Sequence, residues 1–196
     1  MTTRLPDHRA ITEPAAIKVL ASPIRQELVD TLFALGGEAS TAGLAEALGH
    51  HADGLYYHLR LLCDAGLIEE LRPAESKERS FRLAGDGLTP LRLAYRPGAE
   101  GNAEALGTYV GALLKVAGKD FEQAVAVADA VVEGPHRQLW ASRNKGWLSN
   151  EDLEEANALL ERLCVLLSQS RSAERGTLMT LAFVMAPTIA RPKRRS

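Results

Sequence analysis

Apolar residues recur every three or four positions along residues 12–66, and this pattern predicts four helices. That spacing places the apolar side chains on one face, where another element can cover them. Pro14 and Pro23 stand where two of the helices begin, since the first helical N–H has no partner within the helix. Gly49 and Gly66 stand where two others end. In chain order the helical segments are "AAIKVLA", "PIRQELVDTLFALGG", "AGLAEALG" and "LYYHLRLLCDAG".

The second segment, which starts at Pro23, has one apolar stripe and a clear end. Ser22 precedes Pro23 as a cap, and Gly36-Gly37 terminates the helix. We expect the stripe to face the core. Its members are Ile24, Leu28, Leu32 and Leu35.

The fourth segment has two unlike faces. Leu55, Leu59 and Leu62 follow one another at helical spacing, so they are predicted to be buried together. The opposite face is polar and has no evident partner within the chain. It carries Asp53, Gly54, Tyr56, Tyr57, Arg60 and Asp64.

After Gly66 the pattern changes to that of two short strands. "LIEEL" and "RSFRLA" flank the polar segment "RPAESKE", which contains Pro73, so a β-hairpin with a charged tip is predicted. Within residues 72–82 the cations outnumber the acids by two. The cations are Arg72, Lys77, Arg79 and Arg82, and the acids are Glu75 and Glu78.

The chain divides near residue 97. Residues 85–101 hold four Gly and two Pro and are interpreted as a linker. We therefore expect a first domain with its linker over residues 1–97 and a helical domain over residues 98–196. The predicted fold is mainly α with a small β component (α+β).

The second half is predicted to contain two helices and one or two short strands. Residues 103–133 have helical spacing, whereas "HRQLWASRNKGWLS" is more typical of a strand. "SNEDLEEANALLERLCVLLSQS" is the best-defined helix, because Ser149 and Asp152 resemble a capping box and acidic residues crowd its positive end. "TLMTLAFVMAP" favours a buried strand.

Composition points to a cytoplasmic globular protein. The chain of 196 residues is 46% hydrophobic and 24% charged, and its two cysteines, Cys63 and Cys164, define no disulfide framework. The N-terminus lacks an apolar signal segment, and the longest apolar run is shorter than the roughly 20 residues that cross a bilayer. No membrane partner is therefore expected.

Net charge does not by itself indicate a partner with many phosphates. The whole chain carries −2; residues 1–97 hold 11 cations and 13 acids, and residues 98–196 hold 12 of each. Any binding of DNA must therefore depend on where the cations are placed.

The order of elements predicts a winged helix-turn-helix. The connection after Gly49 is short, so two helices must cross closely there, and the hairpin supplies the wing. A helix held in this way can enter the major groove and present its polar face to base edges. The predicted DNA-binding residues are Ser40, Thr41, His50, His51, Asp53, Gly54, Tyr56, Tyr57, Arg60, Arg72, Lys77 and Arg79.

Several motifs over about residues 12–84 together resemble the ArsR-type winged helix-turn-helix regulators. They are Pro23-x-Arg25, Leu44-Ala45-Glu46 and "HLRLLCDAGL" from His58 to Leu67. The resemblance implies a homodimeric, cytoplasmic repressor that binds a partly palindromic double-stranded operator. The segment from Trp147 to Asp152 is similar to a signature in the C-terminal extensions of some such regulators, which implies roles in dimerisation and effector binding.

Metal sensing is not expected, and neither is a cofactor. Leu44-Ala45-Glu46 lies where some arsenic sensors of this family carry cysteines, and His50 and His51 are adjacent, whereas helical ligands need a spacing of three or four. Trp140 and Trp147 are candidates for binding a small-molecule effector that the sequence does not identify.

Two other functions compete with regulation of transcription. A winged helix that binds protein and no longer binds DNA is the alternative, since residues 1–97 carry a net charge of −2. An enzyme is not expected, because the chain lacks phosphate-binding, nucleophile-elbow and zinc-protease motifs.

Overall fold

A computed structural model describes residues 9–71, 78–85, 91–96, 98–168 and 176–189. Within these ranges the chain forms six helices and five short strands, an α+β winged-helix architecture as predicted. The helices are α1 Pro14–Leu20, α2 Pro23–Ala34, α3 Thr41–Leu48, α4 Ala52–Asp64, α5 Asn102–Val125 and α6 Asn150–Leu167. The strands are β1 Arg9–Ile11, β2 Glu38–Ser40, β3 Ile68–Leu71, β4 Ser80–Leu83 and β5 Leu91–Leu93.

The first four helices begin and end at the residues that the sequence marks. Proline stands in the first turn of both α1 and α2. Gly49 follows α3 with a φ of 65°, and Gly66 follows α4 with the same φ. Because side chains with a Cβ rarely adopt this left-handed conformation, glycine sets the point at which each of these helices stops.

The core lies where α2, α3 and α4 meet the small sheet. Leu55, Leu59 and Leu62 of α4 are each at most 1% exposed, so the buried face predicted for this helix is confirmed. The prediction that Leu35 lies in the core is wrong, since this residue is 49% exposed. It is the C-cap of α2, where the chain leaves the helix toward the glycine turn and no longer follows the helical stripe.

The wing is the predicted hairpin with one strand added. β3 and β4 pair antiparallel, and β2 pairs with the other edge of β4, aligning Glu38 with Arg82. Arg82 also donates to Glu69 across the hairpin at 2.8 Å. The sequence does not predict β2, because a three-residue strand is too short to show a period.

The segment interpreted as a linker contains a strand. β5 pairs in parallel with β1, aligning Ile11 with Leu93. This corrects the interpretation of residues 85–101, whose many glycines and prolines conceal three residues that pair about 80 positions away.

Helix α5 packs on the winged helix, so the compact part of the chain continues past residue 97. Ala105 is fully buried in the same core, and Gln26 donates to the carbonyl of Tyr109 at 3.4 Å. Lys18 of α1 and Glu104 of α5 form an ion pair of 3.1 Å. The helical interpretation of residues 103–133 is correct as far as Val125, where α5 ends.

Beyond α5 the described chain is mostly exposed, and outside α6 it has no regular secondary structure. Helix α6 has the predicted capping box: Ser149 accepts from the Asp152 N–H, and the Asp152 carboxylate accepts from the Ser149 N–H. None of the side chains of α6 is buried. Residues 136–149 and the described residues 176–189, expected to include strands, join no sheet in the described chain. A strand needs a neighbouring strand, and the described parts of this chain supply none here.

No helix in the described ranges is both long enough and apolar enough to cross a membrane.

Candidate nucleic-acid interface

A tight turn joins α3 to α4 and fixes the angle between them. Ser40 caps α3 by accepting from the Gly43 N–H at 3.1 Å, and Gly49 ends the helix in the left-handed conformation. The His50 N–H then donates to the Ala45 carbonyl at 2.9 Å, which ties the start of the turn to α3. Helix α4 starts only three residues after Gly49, so the two helices form a helix-turn-helix.

Helix α4 turns its polar face to solvent, opposite its buried leucines. Tyr57 is 66% exposed, and the Arg60 side chain is 82% exposed. Arg60 lies 3.8 Å from Asp64 one turn later, in an exposed pair that contributes little to stability and is easily exchanged for another anion. The Arg60 guanidinium is therefore available to a phosphate or a guanine edge.

Tyr56 and Arg79 connect α4 to the wing. The Arg79 guanidinium lies 5.5 Å from the centre of the Tyr56 ring, a cation–π contact. Arg79 also lies 3.5 Å from Glu70 of β3. Helix α4 and the base of the wing therefore form one continuous surface.

Ser40 and Thr41, both predicted to bind DNA, use their hydroxyl groups within the domain. Ser40 caps α3, while Thr41 is buried and donates to the Arg79 carbonyl at 3.3 Å. These bonds align the start of α3 with Arg79, the residue immediately before β4. A contact with DNA from Thr41 would have to replace its present bond.

The first turn of α4 could bind a phosphate group. His50, His51, Asp53 and Gly54 are all exposed at the helix start. The positive end of the helix dipole favours a phosphate at such a position, while the His50 and Gly54 N–H groups already donate to the Ala45 and His51 carbonyls. Asp53 opposes this locally, since its carboxylate would repel the same phosphate.

Gly54 has open space where a side chain would lie, so a substitution there is expected to stabilise the protein. A Cβ at Gly54 would have no other heavy atom within 4 Å, and its φ is not positive. Gly54→Ala should therefore raise the free energy of unfolding by up to about 1 kcal/mol, because Ala is the better helix former. Chemical denaturation measures this change. A decrease in stability would contradict the placement of Gly54 in a regular helical turn.

His58 belongs to the edge of the core and not to the exposed face. Burial, together with the nearby Arg25 and His50, lowers the pKa of its imidazole. Its Nδ1 is buried without a hydrogen-bond partner among the described residues, and its ring meets Tyr57 edge-on. We therefore expect His58 to be neutral at pH 7 and to support the position of Tyr57.

Two predicted wing contacts, Arg72 and Lys77, lie outside the described residues. Arg79, the third, is exposed immediately before β4.

Metal-binding clusters were sought throughout the described ranges, and no group of three or more His, Cys, Asp or Glu side chains has suitable geometry. Burial, with help from Glu70 and Asp64, raises the pKa of the Cys63 thiol. Cys63 is therefore a thiol at neutral pH and a poor nucleophile.

A groove of about 960 Å³ adjoins the start of α4, and the sequence does not reveal it. It lies between α2, α4 and the second half of α5. Glu27 and Lys119 face each other across it at 3.9 Å, and His51 and Gly54 lie at its α4 side. No local motif could indicate this groove, since α5 follows α4 by about forty residues.

The two tryptophans proposed for effector binding do not line that groove. Trp140 is 71% exposed, and the Arg137 guanidinium lies 3.0 Å from the centre of its ring. Trp147 is fully exposed. Both residues lie in the extended segment between α5 and α6, so a single copy of the chain does not bring them into a cage.

Comparison with known proteins agrees with this geometry. A family model described as a helix-turn-helix domain matches residues 20–70, from the end of α1 through most of β3. The match covers about a quarter of the chain and contains all of α3 and α4. No curated protein matches the chain.

Proposed function

We propose that this chain, whose residues 20–70 are similar to a helix-turn-helix domain, is a sequence-specific DNA-binding transcriptional regulator and a homodimeric repressor of the ArsR type. One observation carries the proposal: α4 is fixed to the core by three buried leucines and presents Tyr57 and Arg60 to solvent beside the wing. This is the placement that a helix needs in order to enter a major groove.

In this proposal the two surfaces of the domain have different tasks. The first half of α4 reads base edges, with Arg60 as the strongest candidate for a guanine or a phosphate. The wing, with Arg79 at its base, contacts the backbone and sets the orientation of the helix. In a dimer the two α4 helices would meet successive major grooves about 34 Å apart, so the operator would be partly palindromic.

The homodimer is supported by the second half of the chain. Helix α6 has no buried side chain, and both tryptophans are exposed. Apolar surface of this extent is typical of a protein interface. The repressor assignment follows the ArsR resemblance, and the cytoplasm is the compartment proposed for such a regulator.

Regulation by a small molecule fits the groove between α2, α4 and α5 better than it fits the tryptophans. A ligand there would contact Gly54 and His51 of α4 together with Lys119 of α5. A bound ligand would stabilise the dimer arrangement in which the groove fits it best, and this would set the distance between the two α4 helices.

Selection of binding sites from random duplex DNA tests the main proposal. A regulator of this kind should enrich two related half-sites whose centres lie about 10 base pairs, or a multiple of that, apart. Recovery of no enriched sequence by the folded dimer would contradict sequence-specific binding.

The dependence of affinity on salt supplies the second test. If each copy neutralises two to four phosphates, the logarithm of the binding constant should fall with the logarithm of salt with a slope of about −4 to −7. Fluorescence anisotropy on the selected duplex, over about 50 to 200 mM salt, measures it.

The alternative function, a winged helix that binds protein, is favoured by one feature of the same surface. Asp53 and Asp64 lie on the exposed side of α4, and residues 1–97 carry a net charge of −2. If this alternative is correct, affinity for duplex DNA will be weak and will not depend on sequence.

A further inference from the structure

Helix α5 has a second face that is open to solvent, and its Leu114 and Gly118 also line the groove beside α4. Six residues recur along it with alternating spacings of four and three, the heptad spacing of helices that pack lengthwise. All six are unburied, whereas Ala105 and Val116 of the same helix are buried against the winged helix. This face, here called the α5 stripe, consists of Gly107, Gly111, Leu114, Gly118, Phe121 and Val125.

Three glycines in the α5 stripe are unexpected on the solvent-facing side of a helix. Glycine inside a helix costs about 1 kcal/mol relative to alanine. A Cβ at Gly107, Gly111 or Gly118 would have no heavy atom within 4 Å, so the described chain gives no steric reason for them. Small residues at these heptad positions allow the backbone of another helix to approach closely.

Helix α6 carries the matching pattern. Five of its residues also recur at heptad spacing, and none of them is buried. The face covers about 21 Å along the helix axis and fits within the roughly 27 Å of the α5 stripe. This face, here called the α6 stripe, consists of Leu153, Ala156, Leu160, Leu163 and Leu167.

Apolar surface, and not charge, carries the match between the two stripes. Helix α5 has two cations, Lys115 and Lys119, and three acids, Glu104, Asp120 and Glu122. Helix α6 carries five acids and one cation, a surplus of four negative charges. The acids are Glu151, Asp152, Glu154, Glu155 and Glu161, and the cation is Arg162.

The apolar area exposed after α5, which extends beyond the α6 stripe, is as large as a stable dimer requires. The two tryptophans, 71% and 102% exposed, contribute on the order of 300 Å². The leucines of α6, with Phe183 and its neighbours in residues 176–189, bring the total near the ~800 Å² that each partner buries in a specific interface. A second copy offers both stripes at once, so a two-fold arrangement would cover all four.

We propose that two copies exchange their C-terminal arms, of which residues 127–168 and 176–189 are described, so that the α6 stripe of each copy packs on the α5 stripe of its partner. This inference rests on the homodimer in the proposed function. It adds that the contact between α5 and α6 is made between chains and not within one chain. In the single copy, every α6 side chain is left unburied although its own α5 stripe is open.

Mixing two full-length variants tests the exchange. Phe121→Asp damages the α5 stripe, and Leu163→Asp damages the α6 stripe; each variant alone should be monomeric by light scattering. Exchanged arms predict that an equimolar mixture recovers dimers, because one of its two interfaces then combines an intact α5 stripe with an intact α6 stripe. Phe121→Leu, which keeps the apolar surface, should remain dimeric.

Three outcomes would overturn the exchange. These are a mixture that stays monomeric, a dimeric Leu163→Asp variant and a dimeric Phe121→Asp variant. Circular dichroism establishes that each variant keeps its helices. Binding of the unmutated chain to the selected duplex is measured separately, so failure of the exchange is distinguishable from failure of DNA binding.

Discussion

Leu59→Ala should lower the free energy of unfolding by about 2 to 5 kcal/mol, the cost of removing a fully buried leucine and leaving a cavity. Leu59 is 1% exposed and lies between Leu55 and Leu62 on the face of α4 that contacts the core. Chemical denaturation measures the change. The loss is expected to be large because α2, the sheet and α4 all contribute to the same cluster.

Arg60→Ala is the matched control, since Arg60 is the next residue of the same helix. Its side chain is 82% exposed and makes only a weak pair with Asp64, so its removal should change stability by less than about 0.5 kcal/mol. Similar losses for the two variants would mean that α4 is not oriented with one buried and one open face.

The contrast between these two residues also explains why α4 can be predicted from sequence. Its apolar period, its terminal Gly66 and its polar face are local features that a window of about fifteen residues contains. The same holds for the hairpin of β3 and β4 and for the capping box at Ser149.

The features that sequence does not predict depend on distant residues. β1 and β5 are three residues each, and their pairing joins positions about 80 residues apart. The groove beside α4 exists only because α5 returns to pack on α1 and α2. Thr41 is predicted to face DNA, but its hydroxyl instead meets the Arg79 carbonyl, a partner that follows 38 residues later.

The strands expected after residue 135 illustrate another limit of sequence patterns. The residues of "TLMTLAFVMAP" suit a β-strand, but a strand also needs a neighbouring strand for its backbone hydrogen bonds. In the described chain these residues form no regular secondary structure, and nearly all of them are exposed. Under the arm exchange that we propose, the partner copy would supply the missing surface.

Arg60→Ala should also weaken binding to the selected operator about 5- to 150-fold, which corresponds to about 1 to 3 kcal/mol for removal of a base contact. The expectation follows from the exposed guanidinium on the reading face of α4, close to Tyr56 and the base of the wing. Fluorescence anisotropy at one fixed salt concentration measures the affinity. Arg96→Ala is the control, because Arg96 is exposed but lies outside both α4 and the wing.

The way in which the loss of affinity depends on operator sequence and on salt identifies the group that Arg60 contacts. If it reads a guanine, the variant should lose discrimination at one position of each half-site and bind substituted operators almost as well as the original. If it binds a phosphate, affinity should fall equally for all sequences, and the salt slope should become less steep by about one for each phosphate that is no longer neutralised. Arg60→Ala binding as tightly as the unmutated chain would exclude both roles. Because its stability is expected to be unchanged, such a result would count directly against α4 as the reading helix.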